Sequence, residues 1–124
     1  MPEWKNRNWF EKTGYSYAGL RDALKTEKAV REEALTFAAL TIIAAVKFGF
    51  SGWTRVLQIA LVSLIPLVVE LINTAFEIII DFVCGTDYKE EIRMAKDMLS
   101  GAVLLTLIIC YSFCLLLLFK QISC

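Results

Sequence analysis

The sequence contains no histidine, and its four cysteines include no CxxC pair. Because the common structural zinc sites need cysteine and histidine at short spacings, this composition argues against a zinc site. The lack of histidine also excludes the hydrolytic triads that use histidine as a base. Neither a GxxxxGK[ST] nor a GxGxxG pattern occurs. The sequence therefore predicts neither a P-loop nor a protein-kinase fold.

Net charge is also missing, because the 13 basic residues are balanced by 13 acidic ones. A chain without a global field has nothing to recruit nucleic acid, so no nucleic-acid partner is expected. Only two residues are proline, 57% are hydrophobic, and the mean hydropathy is +0.57. A soluble domain of this size is rarely so apolar, so we expect one integral-membrane domain over residues 1–124. Residues 1–33 contain charges throughout, which argues against a secretory signal.

Three apolar runs, at residues 34–50, 56–83 and 98–119, approach or exceed the ~17–25 residues of a transmembrane helix. The segment before them, residues 1–33, mixes charges with aromatic residues, as an amphipathic helix at the membrane interface does. A charged loop is expected at residues 84–97. The predicted fold class is therefore an all-α membrane protein with one interfacial helix and three transmembrane helices.

Positive charge is unevenly divided between the two ends of these predicted spans. Ten Lys and Arg residues fall in the N-terminal segment and the 84–97 loop, and three fall at the other end. Since positively charged loops stay in the cytoplasm, the N-terminus is predicted to be cytoplasmic. A multi-pass protein of the bacterial inner (plasma) membrane is the expected location.

The second run contains a row of four polar residues, Glu70, Asn73, Glu77 and Asp81, which we call the polar stripe. Their spacings of 3, 4 and 4 residues place them within an arc of about 80° on one helix face. An ionisable group inside a membrane costs roughly 2.5–3.5 kcal/mol on insertion scales. The stripe therefore indicates a partner such as a cation, a proton or a polar substrate. A hydrogen-bonded seam between helices is the structural alternative.

The polar stripe leads into the predicted cytoplasmic loop, where nucleotide and magnesium are available. Lys96 and Asp97 follow near its cytoplasmic end. Carboxylates that bind Mg²⁺, a lysine that offsets phosphate charge and a carboxylate that accepts a proton together suit phosphoryl transfer. A small proton-conducting or scaffolding membrane oligomer would use the same acidic stripe, and the residues alone leave it open.

Two motifs carry a resemblance to a known family. ELINTAFEIIID at residues 70–81 and AKDMLSGAV at residues 95–103 strongly resemble the bacterial membrane-embedded diacylglycerol kinases, whose relatives include undecaprenol kinases. The similarity covers roughly residues 10–119. It implies ATP-dependent phosphorylation of the diacylglycerol hydroxyl to phosphatidic acid, in lipid recycling, with undecaprenol as the alternative substrate. It also implies a homotrimer whose active sites are shared between neighbouring chains.

The resemblance also implies roles for individual residues. Glu70 would be the general base and contact the lipid, while Glu27 and Glu77 would bind Mg²⁺ and ATP. Asn73 and Asp81 would support the site. The further expected ATP contacts are Tyr15, Asp87, Tyr88, Lys89, Lys96 and Asp97. The further expected lipid contacts are Arg21, Arg31, Glu33, Trp53, Arg55 and Ser100.

Some positions depart from the family pattern or have a simpler explanation. The loop at Cys84-Gly85-Thr86 is about one residue longer than expected, and Asn8 stands where a basic residue is expected. For Asp81, the equal alternative is that it simply caps or ends a membrane span. A solvated helix face is an equal alternative for Arg31 and Glu33.

Overall fold

A computed structural model describes residues 8–87 and 89–120, and within them every regular element is helical. The four α-helices are α1 (Trp9–Thr26), α2 (Lys28–Phe48), α3 (Trp53–Cys84) and α4 (Glu90–Phe119), and a short 3-10 turn, Phe50–Gly52, precedes α3. The predicted all-α class is therefore confirmed.

The helices begin and end where the sequence supplies suitable residues. The side-chain oxygen of Asn8 accepts a hydrogen bond from the Glu11 backbone N–H at 2.8 Å, which caps α1. Glu27 alone separates α1 from α2, and its backbone is extended. Gly49 and Gly85 follow α2 and α3 with φ angles of 65° and 60°. Only glycine adopts such angles readily, so both positions end a helix without strain.

The connection between α3 and α4 is shorter than the charged loop predicted at residues 84–97. Helix α4 begins at Glu90, about two turns before the apolar run starts. Glu90 and Glu91 occupy its first turn, where acidic residues favour the helix dipole. High charge density led to the prediction of a loop, whereas these charges lie at spacings that stabilise a helix. Residue Tyr88 of the connection lies outside the described part of the chain.

Helix α3 lies between α2 and α4 and makes most of the contacts in the fold. The core of these contacts consists of four buried residues, Ala44, Ile59, Cys114 and Leu118. The Cys114 thiol points at the Ile59 carbonyl oxygen, 3.8 Å away, so it serves as a packing group. Helix α1 contains no buried residue and packs mainly against α2.

In the part of the chain that the structure describes, two helical segments are long and apolar enough to cross a membrane. They are Phe50–Cys84 and Glu90–Phe119, with mean hydropathies of 2.1 and 2.7. Only 28% and 22% of the most apolar stretch of each segment is buried by the rest of the chain, whereas the core helix of a soluble protein would be mostly buried. Helix α2 is not long and apolar enough to cross a membrane by the same measure. It ends at Phe48, and its uncharged part is shorter than the ~17–25 residues of a span.

Candidate active site

The polar stripe runs along α3 from a buried end to an exposed end. Glu70 and Asn73 are only 7% and 8% exposed, Glu77 is half-buried, and Asp81 is exposed near the end of the helix. Thr74, next to Asn73, is also buried. The prediction that these side chains share one helix face therefore agrees with the structure, and Glu70 is the most buried carboxylate of the stripe.

Helix α2 adds a second buried carboxylate, Glu33, which is 8% exposed. Burial, together with the nearby charges of Glu70 and Glu32, raises the pKa of Glu33 to about 7. The alternative that Glu33 belongs to a solvated face is therefore wrong. Glu33 of α2 and Glu70 of α3 are close enough for the charge of Glu70 to act on Glu33, and we call these two residues the acidic pair.

Two oxygen atoms beside this pair are buried without a hydrogen-bond partner, Oε2 of Glu33 and Oδ1 of Asn73. A buried polar atom without a partner costs roughly 1–3 kcal/mol, so such atoms are rare in folded proteins. Their concentration beside Glu70 is typical of a site that receives a polar group from a ligand.

Glu27 and Glu77 lie on either side of this region. Both carboxylates are close enough to Glu70 for their charges to act on it. Among the residues that the structure describes, no three acidic, cysteine or histidine side chains form a metal-binding group. Mg²⁺ in phosphoryl-transfer sites is usually held by one or two carboxylates together with phosphate oxygens. Glu27 and Glu77 are carboxylates of the type that such a site uses, and both lie near Glu70.

A cavity of about 280 Å³ opens where α3 meets α4. It brings together several residues predicted to bind ATP, and it is lined by both acidic and basic side chains, among them Asp81, Asp87, Lys89, Lys96 and Asp97. The Lys96 ammonium lies 2.6 Å from Oδ1 of Asp81. Asp81 therefore does more than end α3, because it holds Lys96 at the cavity.

Arg93 also lines this cavity and was absent from the predicted site. Its Nη1 atom lies 2.6 Å from Oδ2 of Asp97, and its Nε atom donates to Glu90 at 3.1 Å. The spacing of Glu90, Arg93 and Asp97, at i−3 and i+4, was a visible signal once residues 90–97 are read as helix.

Tyr111 is a second residue that sequence reasoning missed. Its side chain extends from α4 towards Glu33 and Thr36 of α2, and its hydroxyl is buried. The signal was a tyrosine inside an otherwise apolar run, since a buried phenol normally finds a polar neighbour.

The predicted site residues of α1 and of the first turn of α2 are exposed, unlike the buried acidic pair. Tyr15 and Arg21 are exposed, and Arg21 lies 3.9 Å from Asp22. The Arg31 guanidinium donates to the carbonyl oxygens of Leu24 and Lys25 at 3.1 Å and 2.8 Å. Arg31 therefore caps the C-terminal end of α1, which neither of its predicted roles included.

Two residues predicted to contact lipid lie away from the acidic pair. Trp53 and Arg55 are at the N-terminal end of α3, about 22 Å or more along the axis from Glu70. Arg55 donates to the Leu117 carbonyl oxygen at 2.9 Å and so caps the end of α4. Ser100 is exposed on α4, one turn after Lys96. The structure does not bring Trp53 or Arg55 near the polar stripe.

Comparison with known proteins gives consistent matches. Residues 14–118 match the sequence model of the family described as prokaryotic diacylglycerol kinase. The chain is 39% identical over 105 residues to the diacylglycerol kinase of Escherichia coli K12, which covers 84% of each protein. It is 37% identical over 99 residues to the Haemophilus influenzae diacylglycerol kinase, covering 78% of this chain and 80% of that one. Identity to the Synechocystis diacylglycerol kinase is 35% over 94 residues, covering 76% and 53%.

Proposed function

Because the chain belongs to the prokaryotic diacylglycerol kinase family, we propose that it transfers the γ-phosphate of ATP to the hydroxyl of diacylglycerol and releases phosphatidic acid. One observation carries this proposal. A buried carboxylate and a cavity lined by basic residues lie along the same half of α3, a helix that can cross a membrane. A lipid hydroxyl and a nucleotide can therefore meet at one helix.

Glu70 is the proposed general base. It is the most buried carboxylate of the polar stripe and the one farthest from the C-terminal end of α3, which suits contact with a lipid anchored in the membrane. Glu70 accepts the proton of the diacylglycerol hydroxyl while the hydroxyl oxygen forms a bond to the γ-phosphorus and the bond to ADP breaks. A positioned base contributes roughly 10²–10⁴-fold to the rate. Asn73 and Glu33 offer the oxygen atoms that orient the hydroxyl-bearing end of the lipid.

Glu27 and Glu77 are the proposed ligands of Mg²⁺. A magnesium ion bound with ATP supplies charge neutralisation on the phosphate oxygens. The two carboxylates approach Glu70 from the α1–α2 junction and from α3, so they hold the phosphates beside the base. The proposed magnesium site therefore combines one carboxylate from the α1–α2 junction with one from α3.

The α3–α4 cavity is the proposed binding place of the ATP phosphates. Lys96 offsets phosphate charge, and Asp81 keeps it in place until the nucleotide binds. Lys89, Asp87 and Asp97 line the same cavity. Tyr15 and Tyr88 keep their predicted ATP contacts as part of this proposal.

The lipid is proposed to lie along the exposed apolar sides of the helices. Ser100 and Arg21 suit the interfacial part of the lipid, because both are exposed and Ser100 follows Lys96 by one helical turn. Trp53 and Arg55 suit only the far ends of the acyl chains, because they lie at the other end of α3. Arg31 acts on the lipid only through its cap on α1.

The assembly is proposed to be a homotrimer in the bacterial inner membrane, with a cytoplasmic N-terminus. Large hydrophobic side chains are exposed along α2, α3 and α4, including Val46 at 81% and Phe82 at 90%. Lipid or a neighbouring chain would cover them. We propose that the apolar part of α2, residues 34–48, is the third span and that the trimer and the snorkelling of Lys47 compensate for its short length.

The proposal is tested by phosphate transfer in bilayers that contain diacylglycerol and undecaprenol together. The purified protein receives γ-labelled ATP, and both phosphorylated lipids are quantified. Preferential labelling of diacylglycerol supports the proposal, whereas preferential labelling of undecaprenol assigns the alternative substrate. If neither lipid is labelled while vesicles that contain the protein conduct protons, the enzyme assignment fails.

A further inference from the structure

Arg93 is a cation of the α3–α4 cavity to which the proposed reaction gives no role. It lies in the first turn of α4, and its side chain lines the cavity together with Lys89 and Lys96. At about 280 Å³ the cavity is at the lower limit of the ~300–1,000 Å³ of ligand pockets. It therefore suits the phosphate groups of a nucleotide rather than the whole molecule.

The Arg93 guanidinium is divided between two carboxylates. Its Nη1 atom lies 2.6 Å from Asp97, and its Nε and Nη2 atoms both face one oxygen of Glu90. Of these two partners, Asp97 lines the cavity and Glu90 does not. The guanidinium is thus held at the edge of the cavity by one acid inside it and one acid outside it.

These ion pairs are easily exchanged. The side chains of Arg93, Glu90 and Asp97 are 46%, 57% and 65% exposed, so solvent screens their attraction. Lys96 and Asp81, across the cavity, are 40% and 62% exposed. Exposed pairs of this kind are weak, whereas arginine binds phosphate through two parallel hydrogen bonds. A triphosphate that enters the cavity can therefore displace the carboxylates from both cations.

We propose that Arg93 is a second phosphate-binding cation of the nucleotide site, and that Asp97 and Glu90 hold its guanidinium beside the cavity until the phosphates replace them. This inference rests on the proposed function, because it takes the α3–α4 cavity as the nucleotide site. It adds an exchange of ion pairs, in which Lys96 leaves Asp81 and Arg93 leaves Asp97. The same exchange frees the Asp97 carboxylate when nucleotide arrives.

The competing explanation is an ordinary ion pair within one helix. Pairs at i,i+3 and i,i+4 stabilise a helix slightly and bind nothing. The chain offers a matched control for this explanation, because Lys28 pairs with Glu32 at i,i+4, 3.7 Å apart, on a surface away from the cavity. Removing Lys28 costs one pair of this kind and removing Arg93 costs two, and of these two cations only Arg93 lines the cavity.

The experiment measures binding of MgATP and of inorganic tripolyphosphate to the full-length protein by calorimetry. Arg93→Gln should weaken both ligands by about the same factor, roughly tenfold, because one charge-assisted contact to phosphate is lost and solvent partly screens it. Arg93→Lys keeps the positive charge but loses the two parallel hydrogen-bond donors of the guanidinium, so it should recover part of the affinity. Lys28→Gln should leave both affinities unchanged. Thermal unfolding of each variant checks that the protein is folded.

Lys96→Gln separates this inference from the proposed function. If Lys96→Gln weakens MgATP and Arg93→Gln does not, the nucleotide site stands and the role of Arg93 is overturned. The role is also overturned if Arg93→Gln weakens MgATP but leaves tripolyphosphate unchanged. If neither substitution changes binding, the cavity is not the nucleotide site, and both the inference and the proposed site are overturned.

Discussion

Glu33 makes stability depend on pH in a direction that can be calculated. The pKa of its carboxyl is raised from 4.5 to about 7 because the side chain is buried beside Glu70. The folded protein therefore binds the Glu33 proton more tightly than the unfolded chain does. The stabilising effect of this proton is complete below the unfolded pKa, decreases as pH rises from about 4.5, and is lost above the folded pKa of about 7.

The size of the effect follows from the pKa difference. A tenfold change in proton affinity corresponds to about 1.4 kcal/mol, so the rise to about 7 is worth up to about 3 kcal/mol. The substitution Glu33→Gln removes the titrating group and keeps its volume. Relative to the unsubstituted protein, the variant should gain stability as pH rises from about 4.5 to about 7 and show no further gain above that range.

The assay is thermal unfolding in detergent across this pH range, with Glu32→Gln as the matched control. Glu32 is the adjacent carboxylate on α2 and is exposed. Its charge is the smallest of the three causes that raise the pKa of Glu33, so its removal should reduce the pH dependence only slightly, and much less than Glu33→Gln does. Unfolding temperatures of Glu33→Gln and the unsubstituted protein that stay parallel at every pH would refute the burial of Glu33 beside Glu70.

Three further predictions concern the metal, the assembly and the core. Glu77→Gln should raise the Mg²⁺ concentration needed for activity and lower turnover while the helical content stays the same, and an unchanged Mg²⁺ titration would remove Glu77 from the metal site. In mixed trimers, chains with Glu27→Ala and chains with Glu70→Ala should together recover some activity, whereas no recovery would indicate sites contained in one chain. Ile59→Ala should destabilise the protein by about 2–5 kcal/mol in thermal or denaturant unfolding, because Ile59 is fully buried; a change in ATP affinity instead would contradict its role in the core.

Much of the fold follows from hydrophobic pattern alone. The apolar runs at 56–83 and 98–119 correspond to α3 and α4, because a long uncharged run has few alternatives to a helix. The start of α4 at Glu90 could not be read from hydropathy, which treats charged residues as loop. Ion pairs at helical spacing, such as Arg93 with Asp97, are what extend the helix there.

The candidate site was predictable where one helix supplied it and less so where helices meet. The polar stripe follows from the 3.6-residue period, so Glu70 and Asn73 were found together. Tyr111 was missed because its position beside Glu33 depends on how α4 lies against α2. Arg31 and Arg55 were taken for ligand contacts, but both donate to carbonyl oxygens at helix ends. The sequence shows which residues are cationic and does not show which carbonyl oxygens lie within their reach.

The role of Glu70 as the base for phosphoryl transfer is the central claim, and Glu70→Gln tests it most directly. The measurement is MgATP affinity and the rate of phosphate transfer to diacylglycerol on the same purified variant in bilayers. Loss of the base should lower kcat by roughly 10²–10⁴-fold while MgATP affinity stays close to normal, because the cavity that receives the phosphates is intact. A near-normal kcat, or lost MgATP binding with intact chemistry, would contradict the claim and transfer the role of base to Asp97.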